Sequence, residues 1–170
     1  IPWKNNSVNT LTLSGGVDDP SVFCGVKLAP DRACWVFYQN DGTTGGRIVT
    51  IAGRWNVTTG ALDSGGTLFE INANGCAVGT RPLAFSIGTD KVAVLWIKYD
   101  AVAANQNLVC QIVNFSDVTP SLIGSLATID SNQVTHLFQG TPDNLYQNRA
   151  LITYKRNSST QLYSKVIHRD

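Results

Sequence analysis

Hydrophobic and polar positions alternate along this chain in short runs, each closed by turn residues. Thr10-Leu11-Thr12-Leu13 has the period of a strand, and Gly15-Gly16 and Asp18-Asp19-Pro20 break it. Strands are then expected over 22–28 and 33–39, joined through Ala29-Pro30-Asp31, and over 47–52 after the hairpin signal Asn40-Asp41-Gly42. A short alternating stretch at 67–71 follows a loop with Trp55 and Thr59-Gly60. The order recurs as a stretch from Cys76 to Ser86 interrupted by Pro82, then 92–99, 108–114 and 126–129. A third pass runs 134–138, 150–155 and 162–168, with a longer connection through Pro142-Asp143-Asn144. No stretch has helical periodicity, so the expected fold class is all-β.

The recurrence keeps a fixed step. Asp31–Asp41, DRACWVFYQND, returns as Asp90–Asp100, DKVAVLWIKYD, and as Asn148–Asn157, NRALITYKRN; the starts lie 59 and 58 residues apart. Leu13, Ile71 and Ile129 form a second series, 58 apart each time. Two landmarks with one spacing indicate an internal repeat of stacked supersecondary units. Runs such as Ala33–Phe37 and Val92–Ile97 lack polar alternation, as expected of strands buried on both faces. The reading is one domain, 1–170, with units 21–72, 76–130 and 133–170. The last unit lacks a fourth strand, while a surplus strand of that type, Thr10, Leu11, Thr12 and Leu13, stands at the amino end.

Four short antiparallel strands per unit of this length resemble the blades of a β-propeller. The Trp-Asp and Gly-His signatures of WD40 repeats and the Asp-box of sialidases are absent, so the resemblance is to the architecture and to no subfamily. The alternative is a β-sandwich of about twelve short strands. The resemblance implies closure by an amino-terminal strand, yet three blades are fewer than the usual four to eight. Two chains could therefore exchange strands 10–13 and form a six-bladed ring. A strand could instead pass to a neighbour in an open filament, or a companion fragment could supply the rest. In each case the partner is a copy of the chain, or a companion chain, that covers the unpaired edge of the last unit.

Composition narrows the function classes. Apolar residues make up 43%, charged residues only 15%, and Glu70 is the sole glutamate. A net charge of +1 without a basic cluster gives no footprint for nucleic acid. No apolar run approaches the roughly 20 residues of a membrane span. The chain begins at Ile1 and has no methionine, so processing from a precursor is expected. Four sequons make Asn5, Asn56, Asn114 and Asn157 glycosylation candidates, and four cysteines fit an oxidising compartment. The expected location is secreted, surface-displayed or virion-associated.

Few residues suggest chemistry. Cys24 and Cys34 lie symmetrically about Ala29-Pro30 and are a candidate disulfide pair. Cys76 and Cys110 fall on strands one apart, about 9–10 Å away, and read as buried small hydrophobes or as partners to other units or chains. No Cys-x-x-Cys or His pair suggests a metal, and no cofactor is expected. His136 and His168 are read as structural, and the nucleophile-elbow pattern is absent. Asp31, Asp41, Asp90 and Asp100 are read as turn formers; Asp18, Asp19 and Glu70 are the carboxylates a propeller-type glycoside hydrolase would use. Trp55 beside Arg54 and Asn56, with Tyr146 and Trp3, offers the aromatic faces and polar donors that bind sugars. The leading functional expectation is a non-enzymatic assembly or binding module, with a glycan as a possible ligand. The alternatives are a structural subunit of a viral fibre, spike or extracellular filament, and the hydrolase.

Overall fold

The computed structural model describes residues 23–39, 46–76, 81–99, 106–142, 149–157 and 159–168. Among them are twelve strands and no helix. All strand pairing is antiparallel, in meanders that follow chain order.

The first meander starts with β1 (Phe23–Ala29) and β2 (Arg32–Gln39), joined tightly at Pro30-Asp31. Then come β3 (Gly46–Trp55), β4 (Leu62–Gly65) and β5 (Phe69–Cys76). Here β4 and β5 pair with opposite ends of β3, so they replace one long fourth strand broken at 66–68. Alternation reveals only the second piece: Leu62-Asp63-Ser64-Gly65 has one apolar residue and no strand signature. The break has a packing cause. Gly66 donates its N–H to Ala52 O at 2.8 Å, and its Cα lies so close to the Val118 carbonyl that a Cβ would collide.

The second meander is β6 (Leu83–Gly88), β7 (Lys91–Tyr99), β8 (Gln106–Ser116) and β9 (Thr119–Asp130). Cys76 belongs to the end of β5, whereas the expectation placed it with the strand around Pro82. A single residue pair, Cys76↔Lys98, links β5 to β7 and joins the two meanders into one nine-stranded sheet. The third is separate: β10 (Val134–Pro142), β11 (Arg149–Arg156) and β12 (Leu162–His168).

The repeat spacing has a backbone counterpart. Trp55 N–H donates to Asp31 O and Phe115 N–H to Asp90 O, at 2.9 and 2.8 Å, closing the same corner of the first and second meanders. The two meanders then pack face to face. Val26, Val36 and Ile48 of the first share a core with Val94, Trp96 and Val109 of the second. The other face of the second, with Phe85, Leu95 and Leu108, packs on Ile152 and Tyr154 of the third. Strands β7 and β8 are thus covered on both sides, which explains their continuous apolar runs. Burial of this apolar surface, at about 25 cal/mol per Å2, supplies most of the favourable free energy.

Candidate functional site

Trp55, Arg54 and Asn56 come together where β3 turns towards β4. They line a shallow depression of about 320 Å3 with Asp31 and Asp63 among its walls. The loop is rigidified from within. Asn56 Oδ1 accepts from the N–H groups of Thr58 and Thr59 at 2.9 and 3.0 Å, and Gly60 closes the turn at a φ of 73°. Arg54 is not free for a ligand, because its Nη1 lies 3.2 Å from both carboxylate oxygens of Asp117. Trp3 and Tyr146, the other proposed sugar contacts, lie outside the described residues.

A charged seam continues from that corner. Arg32, mostly buried, reaches from β2 to the second meander, where Nη2 pairs with Asp90 at 2.8 Å and Nη1 donates to Asp117 O at 3.2 Å. Asp31 stands 3.6 Å from the same guanidinium. The turn aspartates of the repeat are therefore brought together: Asp31 and Asp90 flank one arginine, and Asp90 and Asp117 both hold the turn at φ 59°. Asx residues tolerate this left-handed conformation better than most. Asp41 and Asp100 lie outside the described residues.

The tie between the second and third meanders is a buried carboxylate. Asp130, at the end of β9, accepts from Tyr154 Oη at 2.6 Å and from Arg156 Nη2 at 2.8 Å. Its other oxygen accepts from the Asn132 backbone and side-chain nitrogens at 2.9 and 2.8 Å. Burial alone would raise its pKa, but the hydrogen bonds from Tyr154, Arg156 and Asn132 outweigh it and hold the carboxyl well below the usual range. Burial and the same bond push the Tyr154 phenol up to about 12. Arg156 also stacks over Tyr163, 4.2 Å from the ring centroid. Tyr154 and Arg156 bind the Asp130 carboxylate across the boundary between two meanders, and no local pattern along the chain points to that pairing.

One surface departs from the pattern. In β2, Cys34, Val36 and Tyr38 are buried against the second meander; in β7, Ala93, Leu95 and Ile97 are buried against the third. The equivalent residues of β11, one repeat later, are Leu151, Thr153 and Lys155, and they face outward. Leu151 is 48% exposed, and its cross-strand neighbour Val166 is 62% exposed. Phe138 and Leu162 are exposed too, with His136 stacked on Phe138 at 6.0 Å. Monomeric proteins seldom gather large apolar side chains on one open face.

The remaining expectations divide. Cys24 and Cys34 are free thiols, which corrects the expected disulfide. The hairpin turns at Pro30-Asp31, one residue later than the symmetry about Ala29-Pro30 assumed, so Cys24 stands opposite Val36 and Cys34 opposite Val26. Diagonal positions on a sheet leave the two sulfurs too far apart for the bond. Cys110 is also a free, buried thiol. Among the sequons, Asn157 is exposed in a turn and Asn56 is half-buried in its loop. Asn114 sits inside the sheet, paired with Lys91 on one side and Ser121 on the other. Asn5, Thr10, Leu11, Thr12, Leu13, Asp18 and Asp19 lie outside the described residues. Glu70 is ion-paired with Arg47 at 3.0 Å on the surface. Among the described residues no group of three or more His, Cys, Asp or Glu side chains could hold a metal, and no helix is long and apolar enough to cross a membrane.

No family model matches the chain, and neither a curated protein nor a solved structure does.

Proposed function

We propose that this chain is a non-enzymatic assembly module, secreted or surface-displayed, whose three meanders are propeller-like blades completed by a second copy of the chain. The observation that carries this reading is the outward face of the third meander. Its counterparts in the first and second meanders are covered by the next meander, and here Leu151 and Val166 stand open. At both of those faces the covering element is the next meander, which makes a further copy the occupant of matching shape. Among the described residues the third meander has three strands where the second has four, so β12 offers an edge to which the 10–13 segment of the neighbour can add. Such a contact is head-to-tail: it gives a closed ring if the rotation closes, and a filament of the fibre or spike kind if it does not.

Native mass spectrometry and sedimentation velocity test this. A discrete dimer supports the ring, and long polymers support the structural-subunit reading. Leu151→Asp with Val166→Asp, both at exposed positions, is expected to leave the fold intact and shift the population to monomer. A wild-type chain that stays monomeric at every concentration, or a double variant that assembles as before, refutes the proposal. An oligomer formed only with a co-purifying different chain assigns the face to a companion.

A second, lesser reading is glycan binding at the Trp55 depression, favoured by an aromatic ring beside two carboxylates that can accept from sugar hydroxyls. A glycan array probed with the assembled protein and with Trp55→Ala decides it; an absence of hits with the parent protein removes this reading.

A further inference from the structure

Between the second and third meanders lies an apolar cleft of about 240 Å3. Its floor is Ile87, Ala93, Cys110 and Ile112, and Ile129 and Ile167 wall it. Burial pushes the Cys110 thiol up to about 12, so at neutral pH it is an uncharged part of that floor.

The cleft has a specific structural origin. Along β8 and β9 the register runs Cys110↔Ala127 and then Ile112↔Ile123. One residue of β8 between those pairs, Gln111, therefore faces three of β9: Gly124, Ser125 and Leu126. This is a bulge with two extra residues on one strand, and Gly124 supplies the left-handed turn it needs, at φ 67°. Gln111, buried on the opposite face of the sheet, staples the bulge by donating from Nε2 to Ile123 O at 2.9 Å, with Gly124 O at 3.3 Å. The detour carries the β9 backbone away from Cys110 and leaves Gly124, Ser125 and Ala127, all exposed, as an open rim. A well-packed interior closes voids of this size unless something holds them open. Here a buried glutamine does so.

We infer that this cleft is a binding site for a small, compact apolar molecule, planar or short-chained, with one hydrogen-bonding group directed to Ser125 at the rim. Size sets the class: an apolar cavity of about 150 Å3 holds benzene, so this one takes roughly nine or ten non-hydrogen atoms. The lining sets the polarity, since hydrocarbon side chains and a neutral thiol offer nothing to a charged ligand in the floor. The site is independent of the assembly proposed above, because its walls are faces within one chain.

Indole is a suitable probe, and isoleucine δ1-methyl NMR of the intact chain reads where it binds. Saturable shifts are expected at Ile87, Ile112, Ile123, Ile129 and Ile167, with Ile48 and Ile71 of the first meander unmoved as internal controls. Ser125→Trp, at an exposed position that can block the rim without disturbing the core, should weaken binding at least about ten-fold while the rest of the spectrum stays dispersed. The assignment is overturned if no saturation occurs up to the solubility of indole, if the control methyls shift equally, or if the Ser125→Trp variant binds as well as the parent.

Discussion

Tyr154 in β11 donates its phenolic hydrogen to the Asp130 carboxylate over 2.6 Å, although 24 residues separate them. The bond joins the last residue of the second meander to the central strand of the third, beneath the Arg156–Tyr163 stack. Tyr154→Phe keeps the ring in the core and removes only the donor to a buried charge. It should cost about 1.5–3 kcal/mol of unfolding free energy. Urea titration of the variant against the parent measures this; a difference within error would show that the bond contributes nothing net.

The same carboxylate predicts an acid limit to stability. Its folded pKa lies below the unfolded value near 3.9, so the unfolded chain takes up a proton first as pH falls. Stability from Asp130 is complete above about pH 5 and declines progressively below about pH 4. At the alkaline end Tyr154 acts in the opposite sense. The folded phenol stays protonated up to about 12 while the unfolded one ionises near 10, so stability falls between those two pH values. Urea midpoints of Asp130→Asn across pH 2–6 should show a shallower acid slope than the parent; equal slopes would place the acid sensitivity elsewhere.

Gly66 tests the packing of the first two meanders. A methyl group at this position meets the Val118 carbonyl, and neither backbone can yield easily. Gly66→Ala should therefore destabilise the chain by roughly 1–3 kcal/mol. For a chain of this size that is a fall of about 2–4 °C in Tm per kcal/mol. Gly124→Ala is a useful contrast: a Cβ there meets open space, and the cost comes only from its left-handed φ of 67°.

The thiols should react in an order set by burial. Burial pushes Cys34 and Cys110 up to about 12, leaving almost no thiolate at pH 8. Alkylation followed by peptide mapping should label Cys24, which is half-buried, before either of them. Cys34 and Cys110 should need denaturant. A linked Cys24–Cys34 peptide in the non-reduced digest would contradict the register of the first hairpin.

Much of this architecture is legible in the residues. A strand with alternating or continuous apolar positions and a turn at each end announces itself, so the expected segment at 92–99 lies within β7 (Lys91–Tyr99) and 162–168 is β12. Asp31 and Asp90, 59 residues apart, each accept one backbone bond at a matching corner, from Trp55 and Phe115. The same local rules missed β4, which has one apolar residue, and misplaced Cys76, because pairing to β3 rather than local pattern extends β5 that far. The proposed trio at Trp55 does share one depression, but Arg54 is already engaged by Asp117, 63 residues away.

What the amino-acid sequence determined by itself is the element type and the middle of most strands, since each depends on side chains a few residues apart; β9 begins at Thr119, seven residues before the expected 126. Only the tertiary structure decided register and contact. A one-residue displacement of the first turn separated Cys24 from Cys34, a two-residue excess in β9 opened a cleft, and Asp130 found Tyr154 and Arg156 on another sheet. Those outcomes follow from how three meanders fill space against one another, and no stretch of chain contains that information until the faces meet.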